Sequence, residues 1–200
     1  MTSTHNYYRL KLIFSLVFLT GLITSHCGYA QETNPEIPEI KQTVLGLYIT
    51  AQEAYEKWQA DPDKVHILDV RTPEEYIFIG HAEMAWNIPL TFQTYEWDAT
   101  KGHFSEKPNP DFLDLVKDLF AKEDHLLITC RSGGRSAVAV NLLAENGFKN
   151  AYTITDGMEG DKVNDPENLF NGKRMKNGWK NSGLPWTYTI DPNKMKLPKE

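Results

Sequence analysis

The 200-residue chain is 40% hydrophobic and 24% charged, which suits one ordinary globular domain with extensions. Its formal net charge is −6, and it has no basic blocks interleaved with aromatics, which argues against nucleic acid as a partner.

The chain opens with a targeting pattern. Arg9 and Lys11 precede the apolar run Leu12 to Ile23, and Gly28 and Ala30 place small residues at the −3 and −1 positions of a cleavage site before Gln31. The run is short for a bilayer span, which favours a signal peptide over residues 1–30 rather than a retained anchor. Bulky His26 disfavours lipid attachment at Cys27. The expected location is therefore periplasmic or secreted, with membrane contact only through the signal segment. Cleavage removes Cys27 and leaves Cys130 as the one remaining thiol, so the mature domain depends on its core rather than on a disulfide.

Residues 31–46, with Pro35 and Pro38, read as an irregular leader. Thr50 to Glu53 has the spacing of a capping box, and Ala54, Tyr55 and Trp58 supply a helical face. Val65 to Val70 reads as a strand, and Thr72-Pro73-Glu74-Glu75 opens a second helix. Ala85 to Pro89 gives a short strand, and residues 91–109 read as a long loop holding Phe92, Tyr95, Trp97 and Phe104. Asn109-Pro110 begins a helix with Phe112, Leu115, Val116 and Leu119 on its apolar side. A strand from His125, a helix over Ala137 to Ala144 closed by Gly147, and a last strand over Ala151 to Ile154 follow. Short apolar strands alternating with amphipathic helices predict an α/β domain over 47–160, with a mostly parallel central sheet and helices on both faces. Residues 161–200 are polar and glycine-rich, and are expected to wrap the domain surface through Trp179 and Trp186.

The most informative stretch is Cys130-Arg131-Ser132-Gly133-Gly134-Arg135-Ser136. It places a thiol at the carboxyl end of a strand and just before a helix N-terminus, where functional groups of parallel sheets gather. Unpaired N–H groups, the helix dipole and two arginines all favour a thiolate there, so Cys130 is the candidate nucleophile on an exposed loop. The glycines let the backbone bend around an anion on the sulfur. His66, His81, His103 and His125 lack ligand spacing, so neither a metal nor another cofactor is expected.

These residues resemble the rhodanese-like sulfurtransferase family. Asp69-Val70-Arg71 followed by Glu75-Tyr76, Gly80-His81-Ala82 with Asn87-Ile88-Pro89, the Cys130 loop, and Asp156-Gly157 carry the resemblance across roughly residues 45–160. It implies sulfur transfer through a Cys130 persulfide, from a small sulfur-containing anion such as thiosulfate to a thiol, cyanide or a protein thiol. The N–H groups of Arg131, Ser132, Gly133, Gly134, Arg135 and Ser136 would cradle the outer sulfur. Arg135, more than Arg131, would hold the donor, while Asp69, Arg71 and Glu75 brace the fold beside the loop.

A cysteine phosphatase calls for five residues between cysteine and arginine, and here four intervene, a loop suited to a single sulfur atom. Dithiol exchange lacks a resolving cysteine in the mature chain. A partner-dependent sulfur carrier or binding module of the same fold is the remaining alternative.

Overall fold

The computed structural model describes residues 37–197; the expected signal peptide with Cys27, and the first part of the leader, lie outside them. A single 3-10 turn, Glu39–Lys41, precedes β1 (Tyr48–Ile49) and α1 (Ala51–Ala60). Thr50 and Glu53 close the expected capping box: the Thr50 hydroxyl accepts from the Glu53 N–H at 3.3 Å and the Glu53 carboxylate from the Thr50 N–H at 2.7 Å. β2 (Val65–Asp69) leads into α2 (Pro73–Ile79), where Thr72 and Glu75 repeat the motif with proline in the first turn. Then come β3 (His81–Ala82), β4 (Trp86–Asn87), β5 (Thr91–Asp98), β6 (His103–Pro108), α3 (Phe112–Leu119), β7 (His125–Thr129), α4 (Gly134–Glu145), β8 (Ala151–Ile154) and β9 (Trp186–Thr187).

The central sheet has the order β1-β8-β7-β2-β4 with every neighbouring pair parallel. Alternation along its strands sends side chains to both faces. Leu68, Leu126 and Ile128 join Phe112 and Val116 of α3 and Ala139, Val140 and Leu143 of α4 in one cluster. Ile67 and Leu127 pack with Ala51 and Ala54 of α1 and Tyr76 of α2 in the other. This is the expected α/β architecture, and the register pairs Asp69 with Thr129, so β2 and β7 end level with each other just before Cys130.

Two expectations need correction. Residues 91–109 are not a loop: β5 and β6 form an antiparallel hairpin, its register shifting between Gln93 and Trp97. The Asp98 carboxylate accepts from the N–H groups of Thr100 (2.9 Å) and Lys101 (3.2 Å), and Gly102 has φ +69°, which closes the turn. Much of the hairpin is wet on both faces, so it lacks the apolar alternation that marks a half-buried strand. The second correction is that α4 begins at Gly134 rather than Ala137. Its first turn carries Arg135 and a glycine instead of an apolar stripe, because it belongs to the loop beside Cys130.

Beyond residue 160 the chain enters the core. Trp179 is fully buried in the second cluster with Leu184, and its indole N–H donates to the Pro185 carbonyl at 2.9 Å. Asp156 joins this segment to α1 by accepting from the N–H groups of Ala51 (2.8 Å) and Gly178 (3.0 Å), and burial pushes its carboxyl up. β9 pairs with β3, and the Lys180 ammonium lies 3.8 Å from the Trp186 ring centroid. Truncating Trp179→Ala is expected to cost about 3–5 kcal/mol, read from urea unfolding midpoints. A loss below about 1 kcal/mol would show that the segment only covers the surface.

His81 is 2% exposed, with Nδ1 at 3.1 Å from the Tyr76 carbonyl and its ring stacked on Tyr76 at 3.6 Å. Burial holds His81 below the ordinary 6.5, and burial does the same for His66 against the opposing pull of Asp124. The unfolded chain therefore binds more protons than the folded one just below 6.5. Their contribution is complete above that value and is lost as pH falls through the folded-state pKa values. Urea midpoints measured from about pH 8 down to about pH 5 should fall progressively below 6.5; a profile flat across that window contradicts the assignment.

Candidate active site

Cys130 sits two residues beyond Ile128 and on the same face of the sheet, which carries its side chain into the first cluster. It is only 2% exposed, so the expectation of an exposed loop fails for the thiol itself, while Arg131 beside it is exposed. Its Sγ accepts the Gly133 N–H at 3.2 Å. Gly133 has φ +101°, and a Cβ there would lie 2.5 Å from the Thr155 carbonyl oxygen and 3.0 Å from Lys41 Cδ. Only glycine fits both the left-handed backbone and the space. The first bond inside α4 runs from the Ala137 N–H to the Gly133 carbonyl at 3.1 Å, so the N–H groups of Gly134, Arg135 and Ser136 have no helical partner. Ser132 is half-buried and Ser136 is buried.

The loop is anchored from behind. Met158 and Glu159 donate their N–H groups to the Cys130 and Arg131 carbonyls at 2.8 and 3.0 Å. Gly157, at φ +63°, permits this approach, since a Cβ there would meet the Cys130 carbonyl oxygen at 2.6 Å. The loop carbonyls are thereby engaged on the 157–159 turn, and the helix N-terminus keeps its donors for an anion.

Arg135 and Glu75, separately anticipated as a donor-binding group and a fold brace, form one forked pair. Nη1 and Nη2 of Arg135 each lie 2.6 Å from a Glu75 carboxylate oxygen, and Glu106 adds an oxygen at 3.8 Å from Nη1. Burial opposes the Arg135 charge, but Glu75, with Cys130 and Glu106 nearby, outweighs it and raises the guanidinium pKa. Burial likewise opposes the Glu75 charge, and the Arg135 bonds overcome it to hold the carboxyl below its usual range. The guanidinium at the loop that makes no ion pair among the described residues is Arg131.

Asp69 and Arg71 lie beneath, both without solvent exposure. Arg71 Nη2 donates to Asp69 at 2.7 Å and to the Gly80 carbonyl at 2.8 Å, while Nε reaches both carboxylate oxygens at 3.0 Å. Asn87 donates to the carbonyls of Asp69 and Arg71, each at 3.0 Å. Neither side chain is open to a ligand.

The hairpin, absent from the residues that the sequence offers for the site, stands beside this loop. Between them lies a cavity of about 870 Å³ whose lining includes Trp97 and Phe104 of the hairpin, Arg131, Arg135, Glu75 and Glu106. The detectable signal was the Asp98-to-Gly102 turn between two segments rich in aromatic and β-branched residues. The four histidines remain dispersed, with His103 alone on the cavity wall.

Replacing Gly133 with Ala forces both a strained backbone and the Thr155 clash. The variant is expected to lose about 1–3 kcal/mol of stability. Its Cys130 should also react faster with a bulky alkylating agent, measured by mass spectrometry, because the loop must open. An unchanged unfolding midpoint and alkylation rate would contradict this account.

A family model described as the rhodanese-like domain matches residues 50–163. An uncharacterised Rickettsia rickettsii protein is 30% identical over 128 residues, covering 63% of this chain and 85% of that protein. The Arabidopsis thaliana protein named thiosulfate sulfurtransferase 16, chloroplastic, is 39% identical over 90 residues, which is 45% of this chain and 68% of that relative. Among solved structures, Rv0390 from M. tuberculosis superposes with a TM-score of 0.55 at 28% identity, covering 70% of this chain and 96% of that one. The matched span contains four of the five strands of the parallel sheet, the Cys130 loop and the Asp156-Gly157 turn, and the chain belongs to the rhodanese-like domain family.

Proposed function

We propose that this protein is a rhodanese-type sulfurtransferase acting outside the cytoplasm, in the periplasm or as a secreted enzyme, through a Cys130 persulfide. The observation that carries the reading is the Gly133 N–H held 3.2 Å from Sγ at the start of α4. The Cys130 thiolate attacks the outer sulfur of a donor such as thiosulfate. The donor S–S bond breaks, its electron pair leaves with sulfite, and Cys–S–S⁻ remains. The charge moves to the terminal sulfur, where the unpaired N–H groups of α4 are the available donors. Exposed Arg131 supplies the guanidinium for the sulfonate end, and Arg135, held by Glu75, contributes a fixed field rather than a free fork. A thiol, cyanide or a protein thiol then attacks the terminal sulfur and returns the electron pair of the Sγ–S bond to Cys130. No step calls for a metal or organic cofactor.

The 2% exposure of Cys130 and the Glu75 hold on Arg135 favour a second reading, a sulfur carrier that turns over only when a partner opens the loop. Intact mass spectrometry after incubation with thiosulfate separates the two. The enzyme reading expects a gain of one sulfur atom, removed by cyanide and absent in Cys130→Ser. No gain in folded protein with a reduced thiol would overturn independent turnover and leave the carrier reading.

A further inference from the structure

The cavity beside the active loop is larger and more aromatic than a small inorganic donor needs. At about 870 Å³ it lies in the size range of roughly 300–1,000 Å³ that holds organic ligands. Thiosulfate or cyanide is a handful of atoms. The wall opposite the loop is the hairpin, a separate two-stranded sheet that gives no residue to either core cluster. Its apolar side chains are therefore not there to stabilise the core. Trp97 is 59% and Phe104 45% exposed, yet their rings are held edge to face at 5.3 Å across the two strands. The hairpin is pinned by the Thr94 hydroxyl donating to the Ser105 carbonyl at 2.8 Å and by the Asp98 turn. A preformed aromatic pair costs little ordering when a flat ligand meets it.

The charges are arranged differently from the rings. Arg131 and Lys101 are exposed on the lining, Lys101 with its ammonium 3.4 Å from the Asp98 carboxylate, whereas Arg135 and Glu75 offset each other and Glu106 is the remaining carboxylate of the lining. The lining thus offers exposed cations to an anion and a preformed aromatic pair to a flat apolar body.

We propose that this cavity is the subsite for an organic acceptor, a thiol that carries a carboxylate on an aromatic or similarly flat framework. The proposal rests on the sulfurtransferase reading above. Trp97 and Phe104 take the framework, Arg131 and Lys101 take the carboxylate, and the thiol is presented to the persulfide. The acceptor thiol gives its proton to solvent, and its thiolate attacks the terminal sulfur. The Sγ–S bond breaks with the pair returning to Cys130, and the product leaves as an organic persulfide. Trp97 and Phe104 are specificity residues and touch no reacting atom.

The test uses the full protein and 4-(methylthio)benzoate, whose thioether cannot exchange sulfur. Titration calorimetry is expected to show one site, weakened about tenfold by Trp97→Ala, with most of the affinity kept in Trp97→Phe. Lys101→Gln, which leaves the aromatic pair in place, should also weaken it. In stopped-flow discharge of persulfide-loaded protein, Trp97→Ala should raise the KM for 4-mercaptobenzoate with kcat nearly unchanged, and leave discharge by cyanide unaffected. No binding, or binding indifferent to both Trp97 and Lys101, overturns the subsite. A parallel mass measurement after thiosulfate keeps the two claims apart. A sulfur gain without thioether binding removes the subsite alone, while no sulfur gain removes the enzyme reading and the acceptor role with it.

Discussion

At the carboxyl end of β2, the Arg71 guanidinium and the Asp69 carboxylate are both sealed from water and bonded to each other. Isolating either charge in such a place costs about 3–5 kcal/mol, so each is tolerable only because the other is present. Burial pulls the Arg71 pKa down, and the carboxylate more than reverses it. Because Arg71 also holds the Gly80 carbonyl, the pair fixes where α2 ends as well as where β2 ends. α2 in turn carries Glu75, and Glu75 grips Arg135 in the first turn of α4. A buried ion pair at one strand end thereby sets the position of a guanidinium beside Cys130, sixty residues away in sequence from the carboxylate that holds it.

The same chain of contacts imposes a compromise on the site's electrostatics. A free Arg135 would attract anions more strongly, but a half-buried cation without a partner pays desolvation for nothing. Glu75 removes that cost and most of the attraction together. What remains for an incoming anion is a set of backbone N–H groups at a helix start and an exposed arginine whose side chain is free to reach it. The turn at 157–159 completes the arrangement by occupying the loop carbonyls, which would otherwise repel negative charge.

The parts of this structure that were legible in the sequence are those decided by near neighbours. Thr50 with Glu53 and Thr72 with Glu75 announce helix starts within four residues, and the branched residues of β2 and β7 announce buried parallel strands. The Cys130 loop is equally local, so the nucleophile candidate and its glycines could be named directly. What escaped depends on distance or on the absence of a core. The fork between Glu75 and Arg135 is invisible to any window, and so is the burial of Cys130 against α3 and α4. Trp179 among polar neighbours gives no periodic signal, although it fills the space beside Tyr55 with their rings 5.9 Å apart. The hairpin escapes a periodicity reading because its strands answer to turn chemistry and cross-strand pairing rather than to a buried face.

That independence of the hairpin has a consequence for how the protein can change. The sheet, its two clusters and the buried ion pair set the folding free energy, and residues 91–108 add no side chain to either cluster. Selection acting on the wall of the cavity therefore meets little opposition from selection for folding, since additivity holds between sites that share no partners, and Glu106 beside Arg135 is the exception. The hairpin behaves as a replaceable cassette: its tip and its aromatic pair can drift, lengthen or be grafted between homologues while the thiol, its glycines and the strands behind them stay fixed. New preferences can arise on such a chain without first securing extra stability.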